Sequence, residues 1–207
     1  MPTLRHFLVA ACTVASAACA SSRPPAAKPV GIVTLKHTAA DVHFMSGMIH
    51  HHAQAVLIAG WAKSHGASAE LQRLCERIVV AQTDEIGLMQ RWLRDKGAPV
   101  PEATPGPMKM EMNGMTHEML MPGMLSDDEL KALDAARGLD FDRLFLQGMI
   151  KHHEGAITMV DDLYASQGAA QDETVFRFSS DVVADQTTEI RVMQQMLAAR
   201  QKAGGDR

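Results

Sequence analysis

Over 207 residues, 46% of them apolar, the chain carries enough hydrophobic side chains to bury one sizeable core, and a single compact domain is the simplest reading of its length. Its formal charge of −4 is spread along the chain with no long basic run, which excludes the electrostatic footprint of a nucleic-acid-binding protein.

Residues 1–22, MPTLRHFLVAACTVASAACASS, open with Arg5 and His6 and run through apolar and small residues to Ala20. This is the form of a secretory signal peptide over residues 1–20, too short to span a membrane. Cys19, after Ser-Ala-Ala and before small polar residues, has the setting of a lipoprotein cleavage box; cleavage after an Ala-x-Ala pattern is the alternative. Either predicts export to the periplasm or cell envelope, with the membrane met only through a lipid anchor. Cys75 is then the one unmodified cysteine of the mature chain, so no internal disulfide is expected. Its spacing with Leu71, Ile78 and Val79 places it on an apolar helix face, where a small buried hydrophobe is a better reading than a metal ligand.

Residues 21–37 are rich in proline and small residues and read as a tether. From Thr38, apolar residues at helical spacing predict a helix stopping at Gly66, and Ser68 caps a second one ending at Gly97. Residues 38–97 are thus the first helical hairpin. A methionine-rich crossover follows over 98–125, and then a short helix over 126–138. Ser126 and Glu129 of that helix form a capping box, Leu125 and Leu130 a hydrophobic staple, and Gly138 its stop. Residues 139–203 form a second hairpin, turning at Gly168.

The second hairpin repeats the first. Phe44, Gly47, Met48, Ile49, His51 and His52 match Phe145, Gly148, Met149, Ile150, His152 and His153 at one fixed offset. Gln82, Glu85, Ile86, Met89 and Leu93 match Gln186, Glu189, Ile190, Met193 and Leu197, with Ala81 against Asp185 a mismatch. Four amphipathic helices and one long crossover predict an all-α, ferritin-like four-helix bundle.

The chemistry lies in the repeated His-His pairs. Adjacent residues on a helix point about 100° apart, so two neighbouring imidazoles do not readily share one metal. Folding each hairpin back on itself brings His52 level with about residue 82 and Met48 with about 86, in the stretch that holds Gln82, Glu85 and Met89; it brings His153 near Thr187 and Met149 near Arg191, within a turn of Gln186, Glu189 and Met193. Each half then presents histidine, methionine and a carboxylate to the interior. Imidazole with thioether is a borderline-to-soft donor set suited to copper or silver, and Glu85 and Glu189 are placed to accept an imidazole N–H. A core histidine is ordinarily a hydrogen-bonded structural residue, and helical methionines ordinarily fill gaps. The recurrence of the set in both halves, where His50 and Lys151 or Ala53 and Glu154 differ, favours a metal site.

The crossover stretch MKMEMNGMTHEMLMPGM holds Met108, Met110, Met112, Met115, Met119, Met121 and Met124, with His117 among them. Soft-metal capture, above all of Cu(I), is one reading; a flexible, greasy loop lying over the bundle, or a methionine-rich contact surface for a partner, is the other. Two further function classes stand beside copper binding. A carboxylate-bridged di-iron oxidoreductase would need Glu-x-x-His on two helices, and the four long helices have none. A metal-free interaction module would use the methionine-rich loop. No catalytic residue set is predicted.

The segments GMIHHHAQA and GMIKHHEGA, followed by AQTDEIGLMQRWL and DQTTEIRVMQQML, resemble the secreted bacterial family called domain of unknown function 305, over about residues 38–200. The resemblance implies a ferritin-like bundle of two helix-pair repeats with a functional His-His motif. It also implies periplasmic copper binding or tolerance, with Met48, His51, His52, Met89, Met149, His152, His153 and Met193 as ligands. It leaves open which histidine of each pair ligates, most of all in the first half, where His50 makes a run of three. A periplasmic metal-transfer partner is a further expectation.

Overall fold

The computed structural model describes residues 37–112 and 115–205. The segments expected to be a signal peptide, with Cys19, and a tether, up to residue 36, lie outside the described residues. The chain is all-α apart from one β-hairpin: α1 Ala39–Gly60, α2 Ala69–Asp95, β1 Met108–Met112, β2 Met115–Met119, α3 Asp127–Ala135, α4 Gly138–Ala165 and α5 Glu173–Gly205.

Local sequence explains most boundaries. Thr38 and Asp41 form a capping box at the start of α1, Ser68 accepts from the Leu71 amide to cap α2, and Ser126 with Glu129 caps α3. Gly66, Gly97 and Gly168 all adopt the left-handed conformation expected of stop residues. Two boundaries differ from expectation. α1 ends at Gly60, not Gly66: the chain tightens into turns in which the Trp61 and Ala62 amides donate three residues back, to Ile58 and Ala59. Gly138 does not close α3, which ends at Ala135. Its left-handed backbone opens α4 instead, and its amide donates to the carbonyl of His65.

The hairpin in the crossover was not expected. β1 and β2 pair antiparallel with Met108 opposite Met119 and Met112 opposite Met115. Its signal is nonetheless in the sequence: MKMEM alternates with the period of a strand, and Asn113-Gly114 is a dipeptide favoured in tight hairpins.

Helix α2 packs on α1, α5 packs on α4, and the two hairpins join through α1 and α4. The core falls into two apolar clusters. One gathers Phe44, Met48, Met89, Val160 and Phe178; the other gathers Ile58, Leu74, Phe145, Met149 and Met193. Along each of the four long helices, buried polar residues separate the two: His51 and His52, Gln82, His152 and His153, and Gln186. The bundle therefore carries a band of buried polar side chains at its middle, between two apolar clusters. Among the described residues, no helix is long and apolar enough to cross a membrane.

Candidate metal centre

The His-His pairs sit where α1 and α4 meet, and all four imidazoles are fully buried. Within each helix the two rings are 6.2 Å apart between centroids, as divergent neighbours should be. Between helices, His51 and His152 lie ring to ring at 3.7 Å, tilted by 36°. The α1–α4 contact therefore sets one histidine of each half beside the other, a juxtaposition not foreseen in the expectation of one site per half. Folding each hairpin onto itself correctly matches α1 with α2 and α4 with α5, but says nothing of the α1–α4 contact.

The second histidine of each pair turns toward the neighbouring helix. His52 Nε2 donates to Glu85 and His153 Nε2 donates to Glu189, both at 2.7 Å. His51 Nε2 donates to the Pro122 carbonyl at 3.1 Å, while neither nitrogen of His152 has a partner. A carboxylate or carbonyl can only accept, so the acceptors assign a proton to Nε2 in three rings, and in the neutral form of each ring Nδ1 is then a lone pair.

Among the described residues, the buried side-chain nitrogen and oxygen atoms without a partner are Nδ1 of His51, His52 and His153, both nitrogens of His152, and Oε1 of Gln82 and Gln186. All belong to this one layer. An unsatisfied buried polar group costs about 1–3 kcal/mol, so each of these atoms favours a partner, whether a metal ion or an ordered water. Such a concentration of inward lone pairs suits an electrophile. Burial, reinforced by the neighbouring imidazoles, holds His51 and His152 well below the ordinary value of 6.5, so both are neutral donors near pH 7.

The other predicted residues divide clearly. Met48 and Met89 belong to one apolar cluster and Met149 and Met193 to the other, so the four buried thioethers flank the layer from opposite sides. His50 is also buried but is engaged by the crossover, its Nδ1 donating to the Thr104 carbonyl at 3.0 Å. Met108, Met121 and Met124 are core residues, whereas Met115, His117 and Met119 are exposed. The side chains of Met110 and Met112 lie outside the described residues. Cys75 is buried and its thiol is pushed up to about 12 by burial and by Asp142, as befits an inert core residue.

The fit to a metal depends on its type. Among the described residues, no three His, Cys, Asp or Glu side chains, the layer histidines included, are grouped as a ready-made metal site, and Glu85 and Glu189 are each engaged by an imidazole. Neutral imidazoles backed by thioethers suit a soft cation that accepts few ligands, such as Cu(I) or Ag(I).

Sequence reasoning missed the device that closes the layer. The Gln54 side chain both donates to and accepts from the backbone of Leu125, at 3.0 and 2.7 Å. Gly155 lets the crossover settle on α4: a Cβ there would overlap the Pro122 carbonyl and the Gly123 backbone. The available signal was the mismatch of Gln54 against Gly155 at equivalent positions of the repeat, together with Pro122-Gly123 in the crossover.

Fold and centre define a four-helix bundle with a duplicated His-His pair buried at its middle. The chain belongs to the family described as Domain of unknown function (DUF305), whose model matches residues 41–197. Its fold is similar to that of a DUF305 protein from Streptomyces coelicolor, at 30% identity and TM-score 0.63, covering 78% of this chain and 93% of that one. A DUF305 fragment from Deinococcus radiodurans is similar at 28% identity and TM-score 0.64, covering 79% and 98%. CopM in its Cu(I)-bound form is similar at 26% identity and TM-score 0.58, covering 77% and 96%, and Cu(II)- and Ag-bound forms of CopM match alongside it. A search of curated proteins finds no match.

Proposed function

We propose that the protein is an exported copper-binding protein of the periplasm or cell envelope, which holds copper in the histidine layer for sequestration, transfer or tolerance. The observation that carries this reading is the gathering of every unpaired buried side-chain nitrogen and oxygen among the described residues into that layer. Likeness to CopM, solved with Cu(I), Cu(II) and Ag, supports the choice of metal. The donors are the Nδ1 atoms of His51, His52 and His153 with His152, and Met48, Met89, Met149 and Met193 are the neighbouring thioethers. Glu85 and Glu189 act by fixing their imidazoles with Nδ1 free. Exposed Met115, His117 and Met119 provide a softer outer surface at which Cu(I) is captured or passed to a partner. The pattern of residues 1–20 supports export, with Cys19 as the point of any lipid anchor.

The test is titration of the mature protein with Cu(I), Cu(II) and Ag(I), read by native mass spectrometry. Wild type binds copper and silver, and replacing His51, His52, His152 and His153 by Ala lowers the stoichiometry while circular dichroism confirms the helical fold. Absence of uptake in both oxidation states would overturn the proposal. Loss of uptake only on deletion of residues 108–124 would move the site to the crossover and leave the bundle as scaffold.

A further inference from the structure

The histidine layer is closed on the side where the crossover lies. The Pro122 carbonyl sits on His51, the Gly123 backbone sits on Gly155, and Gln54 clamps Leu125. The layer lies between the two apolar clusters. On the remaining side, a cavity of about 270 Å³ is lined by residues of α2 and α5.

The lining of that cavity is chemically biased. Glu85, Asp185 and Glu189 face it with Arg77 as the single basic residue. Like charge from Glu85, Asp181 and Glu189 bears on Asp185. Gln82 and Gln186 also line it, each more than nine-tenths buried and each with an unpaired Oε1. Glu85 and Glu189 are the two carboxylates that hold His52 and His153, and their side chains are 23% and 25% exposed. They therefore stand between solvent and the layer, in contact with both.

We infer that the groove between α2 and α5 is the entrance through which a cation reaches the histidine layer. Asp185, Glu85 and Glu189 form an acidic collar at its mouth, and the amide oxygens of Gln82 and Gln186 are the next donors inward. The inference rests on the copper-binding reading above. A cleft lined by one sign of charge between low-dielectric walls concentrates counter-ions and raises association rates. Oxygen donors ahead of imidazoles let a cation exchange its water in steps.

Asp185 makes the direct test, because it is exposed and bonds to no histidine. Silver uptake is followed by rapid mixing and native mass spectrometry in low-salt nitrate buffer. Asp185→Lys slows uptake about tenfold, within the range of electrostatic steering, and leaves the final stoichiometry at the wild-type value. The difference shrinks as nitrate is added and screens the collar. Ala81→Trp, which plugs the same groove without changing charge, also slows uptake. Asp128→Lys, on exposed α3, makes the same change in net charge and leaves the rate unchanged. Wild-type rates in both groove variants, or equal slowing by Asp128→Lys, would overturn the entrance while leaving the copper site standing. If wild type takes up no silver at all, the metal reading fails and the entrance fails with it.

Discussion

The two histidine pairs occupy equivalent positions in the repeat, yet only one member of each pair is held alike in both halves. His52 and His153 make the same 2.7 Å bond to the same kind of carboxylate. His51 and His152 lie against each other, but His51 donates to the Pro122 carbonyl and His152 has no such acceptor in the crossover. The asymmetry traces to the crossover, of which there is only one copy. It ties to α1 through Gln54 and His51, and rests on α4 where the equivalent of Gln54 is Gly155. Each half kept the contacts made within its own hairpin. Where a segment outside the repeat docks, the two diverged into clamp and seat.

The sharpest way to break this division is at the seat. Gly155→Ala would place a methyl group onto the backbone of Pro122 and Gly123, where no flexible side chain can move aside. It should cost about 3 kcal/mol by overpacking, even though alanine is the better helix former. The loss should appear in chemical unfolding, and limited proteolysis should begin within residues 98–125. Unchanged stability would mean that the crossover is not seated rigidly on α4.

The inner pair offers the next largest effect. His51 and His152 are held below 6.5 by burial, so they stay neutral in the folded protein while the unfolded chain takes up protons. Stability from this source is therefore fully present above about pH 6.5 and is lost as pH falls toward the depressed folded values. Between pH 6.5 and 5.5 the metal-free protein should lose about 2 kcal/mol through the pair. Urea unfolding across this range measures the slope, and His51→Leu with His152→Leu should remove it. A slope that survives in the double variant would assign the acid sensitivity to other groups.

How far the sequence carries the structure depends on which residues recur. The capping signals at Thr38, Ser68 and Ser126, the glycine stops and the internal repeat give the bundle and the facing of His52 with Glu85 and of His153 with Glu189. Those are contacts within one helical hairpin, and helical rise alone sets their level. The stacking of His51 on His152 depends on how two hairpins dock, which side-chain periodicity does not encode. The crossover was opaque for a related reason. Its methionines read as a metal-binding tract, yet Met108, Met121 and Met124 are packed into the core, with the Met121 and Met108 sulfurs close to the open side of Gly47. Methionine fills irregular gaps as readily as it binds soft metals, so composition could not separate the two roles.

The outer pair gives the finest test, because its two members should respond equally. Glu85→Gln and Glu189→Gln keep the shape of the acceptor and an oxygen to receive the imidazole N–H, but remove the charge that strengthens the bond. Charge-assisted hydrogen bonds are roughly twice as strong as neutral ones, and each carboxylate is partly exposed, so each variant should lose about 1 kcal/mol or less. The amide can also turn its NH₂ toward the ring, which would draw the proton to Nδ1 and close the lone pair proposed to bind copper. Metal affinity should then fall about 10-fold or more in both variants, as on loss of an outer partner of a ligating histidine. Equal losses in the two halves would tie the symmetry of the pair to the hairpins. Unequal losses would mean that the crossover reaches past His51 and biases the whole layer toward one half.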